Sequence, residues 1–436
     1  MQLLHIPGVR PLLRSINLEQ LQVITVATSR TNGFQRFMRS AGIYSHNVEV
    51  LGLGQTWEGG DVRVTTGGGQ KVNLLKDALE KVKDKDDLVV MFVDSYDVIL
   101  LAPPTDILRK FLKMKARIVF SAEGFCWPDE SLAGQYPKVE DGKPYLNSGG
   151  FLGYAPDIYQ MVTNSDIANN DDDQLFYTKI YLDKKLRKKW SIKLDHKAEI
   201  FQNLNAAIGD VELRFKDDET ILYNKAYGTE PLVVHGNGPT KVALNSIGNY
   251  LARAWSPTYG CLACAEDRIS LERLMVEEMP RVVLGVFIER PTPFLPEFLQ
   301  HILDLDYPKE RMDLFLHNNA KHHDKDVDQF IKSHHHKFNS HRYISADEAI
   351  TEWRARNLGL EECQKHKCDY YFTVDAGAQL TNPLTLRLLM EQNRSVIAPL
   401  IVRANHLWSN FWGALSSEGF YARSSDYVDI VKTQKR

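Results

Sequence analysis

The sequence is short of three things: cysteine, net charge and long apolar runs. Five cysteines in 436 residues are few for a secreted protein. A formal net charge of -3 leaves no electrostatic footprint for nucleic acid. No apolar run approaches the ~20 residues that a membrane-crossing helix needs, so no transmembrane segment is expected. The opening Met1-Gln-Leu-Leu-His-Ile-Pro-Gly-Val-Arg10 is no convincing signal peptide. His5, Pro7 and Arg10 interrupt its apolar region, and no small-residue cleavage site follows.

What is present is ordinary globular composition, 43% apolar and 25% charged. The length exceeds one ordinary core, so two or three domains are expected. Four cysteines pair by spacing, Cys261 with Cys264 and Cys363 with Cys368. Two local disulfides are the preferred reading. Thiol pairs of a reduced protein are the alternative, and a four-ligand zinc site is disfavoured because the pairs lie about 100 residues apart. Cys126 is left over as a buried thiol.

Along the chain, strands alternate with amphipathic helices. Val23–Thr28 and Asn47–Leu53 read as strands. Residues 71–82 place Val72, Leu75, Leu79 and Val82 on one helical face. A helix near 105–114, with Thr105 as N-cap, leads to a strand at Ala116–Phe120. Such βαβ units imply a mostly parallel sheet. After a boundary near 256–280 the pattern restarts: strands at 281–288 and 312–317, helices at 293–303 and roughly 346–366, and Tyr370–Asp375 as an apolar strand ending in aspartate. The two halves read as diverged copies of one α/β unit.

The first copy carries the stronger chemical signal. Leu88-Val-Val-Met-Phe-Val-Asp94 is a short Val-rich run, the pattern of a strand buried on both faces. Asp97 follows three places later. Ligands of open α/β sheets bind beyond the carboxyl ends of such strands. Two carboxylates there repel unless a hard cation such as Mg2+ or Mn2+ lies between them, and a metal so held commonly clamps a diphosphate. The competing reading is a strand-end turn with solvated acids. His235, in Pro231-Leu-Val-Val-His-Gly-Asn-Gly-Pro-Thr-Lys241, is placed to be a third ligand, with Lys241 neutralising phosphate. The second copy has no carboxylate two or three places after Asp375 and reads as non-catalytic.

Other features are weighed against bland roles. Asp171-Asp-Asp-Gln174 opens a helix, where acids cap; Asp172 and Asp173 could also reach sugar hydroxyls. Leu146-Asn-Ser-Gly-Gly150 reads as a tight glycine turn whose small residues would lie against a sugar. Trp57 and Trp127 sit in loops, suited to sugar stacking or to core anchoring. His334-His-His336 and Lys184-Lys-Leu-Arg-Lys-Lys189 read as solvated faces, and Asn393-Arg-Ser395 is a glycosylation sequon.

Taken together, Val23–Thr28, Gly67-Gly-Gly-Gln-Lys71, Phe92-Val-Asp-Ser-Tyr-Asp97, Leu146–Gly150, Asp171–Gln174 and His235–Lys241 closely resemble the multifunctional procollagen lysyl hydroxylase/glycosyltransferase family. The resemblance runs from about residue 21 to about 430. It implies a GT-A-type glycosyltransferase domain over 21–258, a linker over 259–280 and a degenerate, non-catalytic Rossmann-like accessory domain over 281–436, after a peripheral segment at 1–20. By that resemblance Asp94, Asp97 and His235 match Mn2+ ligands, and Val26, Thr28, Lys71 and Tyr96 match positions holding uridine diphosphate. Trp57, Trp127, Asp172, Asp173 and Asn237 match the sugar and acceptor side. The implied reaction passes glucose, or less efficiently galactose, from UDP-glucose or UDP-galactose to hydroxylysine or its linked sugars in collagen, in the endoplasmic reticulum lumen or outside the cell. Family members continue into an iron- and 2-oxoglutarate-dependent dioxygenase domain. No such metal site is expected in these residues, nor lysine hydroxylation, and a monomer is expected without that domain. The rival expectation is a weak or inactive collagen-binding fragment.

Overall fold

The computed structural model describes residues 20–61, 66–216, 218–403, 405–416 and 419–432. The peripheral segment expected at 1–20 lies outside them except for its last residue. The chain divides into two compact units, 1–262 and 263–436.

In the first unit, β1 (Leu21–Val26), β2 (Val48–Leu51), β3 (Val89–Val93), β4 (Val98–Leu100), β5 (Ile118–Glu123), β6 (Tyr145–Tyr154) and β7 (Ile192–Asp195) appear in chain order. All but β4 form one sheet, ordered β2-β1-β3-β6-β5-β7. Its parallel part is β2-β1-β3; β6 runs antiparallel to both β3 and β5, and β7 is parallel to β5. The sheet is therefore mixed. The physical reason is residues 145–154, which form one continuous ten-residue central strand rather than two segments joined by a glycine turn.

Helices α1 (Asn32–Ile43), α2 (Gly69–Glu80), α3 (Pro104–Met114), α4 (Ala155–Val162) and α5 (Asp173–Leu182) cover the sheet. Alternation along the strands divides the core in two. Ile24, Val90 and Phe92 pack with Val72, Leu75 and Leu79 of α2. Val23, Val89, Met91 and Val93 pack with Phe37 of α1 and Ile107, Leu108 and Phe111 of α3. Both faces of β3 are covered, which is why its sequence is an unbroken apolar run. Each such side chain is worth roughly 1.5–3 kcal/mol when fully buried. Thr105 is not the cap of α3: Pro103 occupies that position, and Pro104 supplies a preset φ to the first turn.

Short elements complete the unit. Helix α6 (Lys184–Lys189) precedes β7; β8 (Phe201–Asn203) is followed by the hairpin of β9 (Val211–Lys216) and β10 (Glu219–Asn224), then β11 (Val233–His235) and α7 (Lys241–Ile247). A second sheet is ordered β4-β11-β8, with β11 antiparallel to β4 and parallel to β8. Finally β12 (Trp255–Ser256) pairs with β13 (Gly260–Cys261), and α8 (Leu262–Glu266) begins at the last residue of the unit and runs into the second.

The second unit is built on a parallel sheet of β14 (Val282–Ile288), β15 (Met312–Asn318), β16 (Ser340–Ile344) and β17 (Tyr370–Asp375), ordered β16-β15-β14-β17, with a separate antiparallel pair at Gly413–Leu415 and Tyr421–Arg423. Helices α9 (Leu295–Asp304), α10 (Asp324–His334) and α11 (Glu352–His366) connect the strands. The helix expected from 346 starts at Glu352 because Ala349 adopts a positive φ of 51°. Cys363 and Cys368 form a disulfide, Cys261 and Cys264 are also oxidised, and Cys126 is a buried free thiol. Among the described residues no helix is long and apolar enough to cross a membrane.

The architecture is thus α/β, with a six-stranded mixed sheet in the first unit and a four-stranded parallel sheet in the second.

Candidate active site

Strand order reverses at β1, with β2 on one side and β3 on the other. Such a switch point opens a crevice beyond the strands' carboxyl ends. Tyr96 ties the two ends together, its hydroxyl accepting from the backbone N–H groups of Thr28 at 2.9 Å and Ser29 at 3.1 Å. Burial works against ionisation of this phenol, but the two donors hold its pKa below the ordinary value. Val26 is buried, and its carbonyl accepts from the Ser95 hydroxyl.

The small sheet delivers the imidazole. His235 pairs in register with Val98, the residue after Asp97, and the Gly236 N–H donates to the Asp97 carbonyl at 2.8 Å. As a result His235 Nε2 lies 3.5 Å from Asp97 Oδ1 and 3.8 Å from Asp94 Oδ2. One ligand atom from each of Asp94, Asp97 and His235 lies within 4.8 Å of the others, and among the described residues no other group of three or more His, Cys, Asp or Glu does so.

Asn203 fixes which imidazole nitrogen faces the acids. Its side-chain nitrogen donates to the Ala122 carbonyl at 3.0 Å, which turns its oxygen toward His235 Nδ1 at 2.9 Å. In the neutral ring Nδ1 therefore carries the proton, and Nε2 presents a lone pair toward Asp94 and Asp97. Two carboxylates with a bare nitrogen at this spacing suit a divalent cation.

Gly149 makes room for the ring. A Cβ there would stand 2.2 Å from His235 Cε1, and one on Gly150 would meet Phe201. The glycine pair thus serves side chains of the small sheet, where the sequence suggested room for a sugar.

Two lysines offset the acids. Lys71 Nζ contacts Asp173 at 2.7 Å and Asp94 at 3.1 Å; Lys241 Nζ contacts Asp97 at 3.2 Å. Burial alone would lower the pKa of Lys71, but Asp173 and Asp94 raise it overall. Burial likewise opposes ionisation of Asp97, yet His235 and Lys241 hold its carboxyl far below the usual range. His235 follows the same logic, raised chiefly by Asp97 against the effect of burial. Asp172 caps α5 by accepting from the Leu175 N–H at 2.7 Å; burial, with the charge of Asp173, pushes its carboxyl up. Gly68 has a φ of 104°, and a Cβ on it would strike Asp173.

The remaining expected residues are distributed around this centre. Asn237 is buried; it donates to Glu123 at 2.8 Å and accepts from the Asn205 N–H. Trp57 is half-buried against the core and donates to the Gly60 carbonyl. Trp127 is 56% exposed, while its carbonyl accepts from Gln174.

Sequence reasoning passed over Asn203 and Glu123. Glu123 is 4% exposed and accepts from Asn147, Gln174 and Asn237. Burial pushes its carboxyl up, offset in part by these donors and by His235. It ends β5 as an acid after an apolar strand, the same signal that exposed Asp94. In the second unit Asp375 is held by Arg356 at 2.7 Å, so a guanidinium meets its charge.

The family model described as "PLOD GT domain" matches residues 17–261, and "Glycosyltransferase family 25, N-terminal domain" matches 279–436. Both halves therefore fall in glycosyltransferase domain classes. The chain belongs to the PLOD glycosyltransferase-domain family. It is 50% identical over 421 residues to the "Multifunctional procollagen lysine hydroxylase and glycosyltransferase LH3" of Rattus norvegicus, covering 96% of this chain and 56% of the relative. It is also 50% identical over 418 residues to the "Procollagen-lysine,2-oxoglutarate 5-dioxygenase 2" of Mus musculus, with the same coverage of each. The chain spans about half the length of the curated relatives it matches. A solved structure of the galactosyltransferase LgtC, in complex with donor and acceptor sugar analogues, covers 53% of this chain and 96% of its own at 11% identity and a TM-score of 0.29.

Proposed function

We propose that the first unit is a Mn2+-dependent transferase that moves glucose, or galactose, from a UDP carrier to hydroxylysine or galactosyl-hydroxylysine of collagen chains, in the endoplasmic reticulum or outside the cell. The observation that carries the reading is the convergence of Asp94, Asp97 and His235 Nε2 within 4.8 Å at a sheet switch point. The collagen acceptor and sugar transfer rest on the family and on the names of its relatives, and the UDP donor on the motif resemblance and on the diphosphate that a metal so held would clamp. A bound divalent cation would supply charge stabilisation to a departing diphosphate. Lys71 and Lys241 would share that charge, Tyr96 and the β1 end at Val26 and Thr28 would seat the nucleotide, and Asp172 and Asp173 would orient sugar hydroxyls. Trp57, Trp127 and Asn237 would border the acceptor.

The test is UDP release from both UDP-sugars with a hydroxylysine-containing collagen peptide, with and without Mn2+. Turnover should require Mn2+ and vanish in Asp94→Ala, which should stay folded by circular dichroism. Undiminished turnover in that variant overturns the proposal. Collagen-peptide binding with no turnover in the parent chain would leave the inactive binding fragment as the function.

A further inference from the structure

The cationic run Lys184-Lys-Leu-Arg-Lys-Lys189 plays no part in this site. It forms α6, capped by Asp183, and leads through Trp190 into β7. Helix and strand together line a surface cavity of about 430 Å3, with Lys184, Arg187, Lys188, Lys193 and His196 around it and no Asp or Glu in its lining.

These cations differ from their neighbours. Lys110, Arg117, Lys143 and Lys197 each pair with a carboxylate, Glu199, Asp157, Asp210 and Asp141 respectively. Among the described residues Lys184, Arg187, Lys188 and Lys193 have no carboxylate partner. Arg187 instead donates to the Tyr181 carbonyl and lies over the Tyr181 ring at 5.0 Å, and Lys193 donates to the Met114 carbonyl at 2.8 Å. Both heads are thus held at the rim by neutral groups. The nearest acids are committed elsewhere: Asp183 accepts from the N–H groups of Lys185 and Leu186, and Asp195 from three N–H groups at residues 199–201. Like charges gathered without counter-charges cost folding energy, so such a groove favours an anion from outside.

The shape of the groove selects among anions. Its apolar members Ile192 and Leu194 are each 5% exposed, and Tyr181 is buried under Arg187. It therefore offers no apolar anchor for a peptide and no open aromatic face for base stacking. Recognition by charge alone, from lysine-rich short runs, suits a sulfated polysaccharide of the heparin type. The Cys363–Cys368 disulfide suits an oxidising compartment, and a chain in the secretory pathway or outside the cell, as proposed above, would meet sulfated sugars.

We propose that the α6–β7 groove binds a sulfated polysaccharide. The full chain is titrated with a heparin octasaccharide, with its desulfated counterpart, with poly-aspartate and with single-stranded DNA. Heparin should bind tightest, and desulfation should abolish binding. The double variant Lys184→Glu/Lys188→Glu touches two exposed, unpaired side chains and should fold normally; its heparin affinity should fall about tenfold or more, with a shallower salt dependence. Lys85→Glu/Lys225→Glu, elsewhere on the same unit, should leave affinity within about twofold. Equal binding of desulfated sugar, tighter binding of poly-aspartate or DNA, or an unchanged double variant overturns the proposal.

Discussion

Gly149 lies directly beneath the imidazole of His235, so close that an added methyl would stand 2.2 Å from Cε1. The imidazole cannot retreat freely, because Nδ1 is tied to Asn203 and the backbone is paired on both sides. Gly149→Ala should therefore swing Nε2 away from Asp94 and Asp97. Overpacking of this kind costs roughly 1–3 kcal/mol of stability, and Mn2+-dependent UDP binding should weaken about tenfold or more by calorimetry. Gly42→Ala, with nothing within 4 Å and a place in α1, is the control and should be neutral or stabilising by roughly 0.5–1 kcal/mol. Unaltered UDP binding in Gly149→Ala would refute the placement of His235.

On the proposed reading, Asn203 acts on a metal through His235, whose Nδ1 it holds. Asn203→Leu removes the acceptor that keeps the proton on Nδ1, and Mn2+ affinity should drop about 10–100-fold. Asn203→Asp keeps an acceptor and should restore most of it. Equal affinities for all three proteins, read by the electron spin resonance of free Mn2+, would exclude this role.

Asp172 predicts a pH-dependent trade of stability for function. Burial raises its folded pKa above the unfolded value of 3.8. For an acid raised in this way, the penalty is absent below the unfolded pKa, grows between the two pKa values and is complete above the folded one. Asp172→Asn retains a capping oxygen for α5. Relative to the parent, its stability should therefore be greater at pH 7 than at pH 3.5, measured by urea denaturation at both. Sugar transfer should be lost at the same time. A stability difference independent of pH would show that the carboxyl is not penalised.

In the second unit, the Cys363–Cys368 disulfide closes a six-residue loop at the end of α11. Loop-closure entropy assigns it about 2 kcal/mol. Cys363→Ala/Cys368→Ala should lower the urea midpoint of that unit accordingly, and no change would mean that the reduced loop is already ordered.

Much of this was legible in the residues, but unevenly. The unbroken run before Asp94 marks a strand buried on both faces; α2 covers one face with Val72, Leu75 and Leu79, as its spacing indicates, and α1 and α3 cover the other. Tyr370–Asp375 is likewise legible as a strand, although it lies at the sheet edge and only Val374 is buried. The meeting of His235 with Asp94 and Asp97 had no local signature, because it depends on β11 inserting between β4 and β8. Gly149 and Gly150 misled: glycines mark turns when only neighbours in sequence are considered, yet here they answer rings arriving from β11 and β8. Asn203 was invisible because its partner lies on another strand. Glu123 was visible by the rule that found Asp94, and was passed over.

The in-register pairing of His235 with Val98 has a consequence for divergence. A one-residue slip of β11 would present Val234 or Gly236 at that place, and neither offers a lone pair. The hairpin and turns joining β8 to β11 lie outside that constraint and are free to lengthen or shorten. Variation among homologues should therefore gather in the excursion between these two strands, while insertions within Val98–Leu100 or Val233–His235 should be selected against.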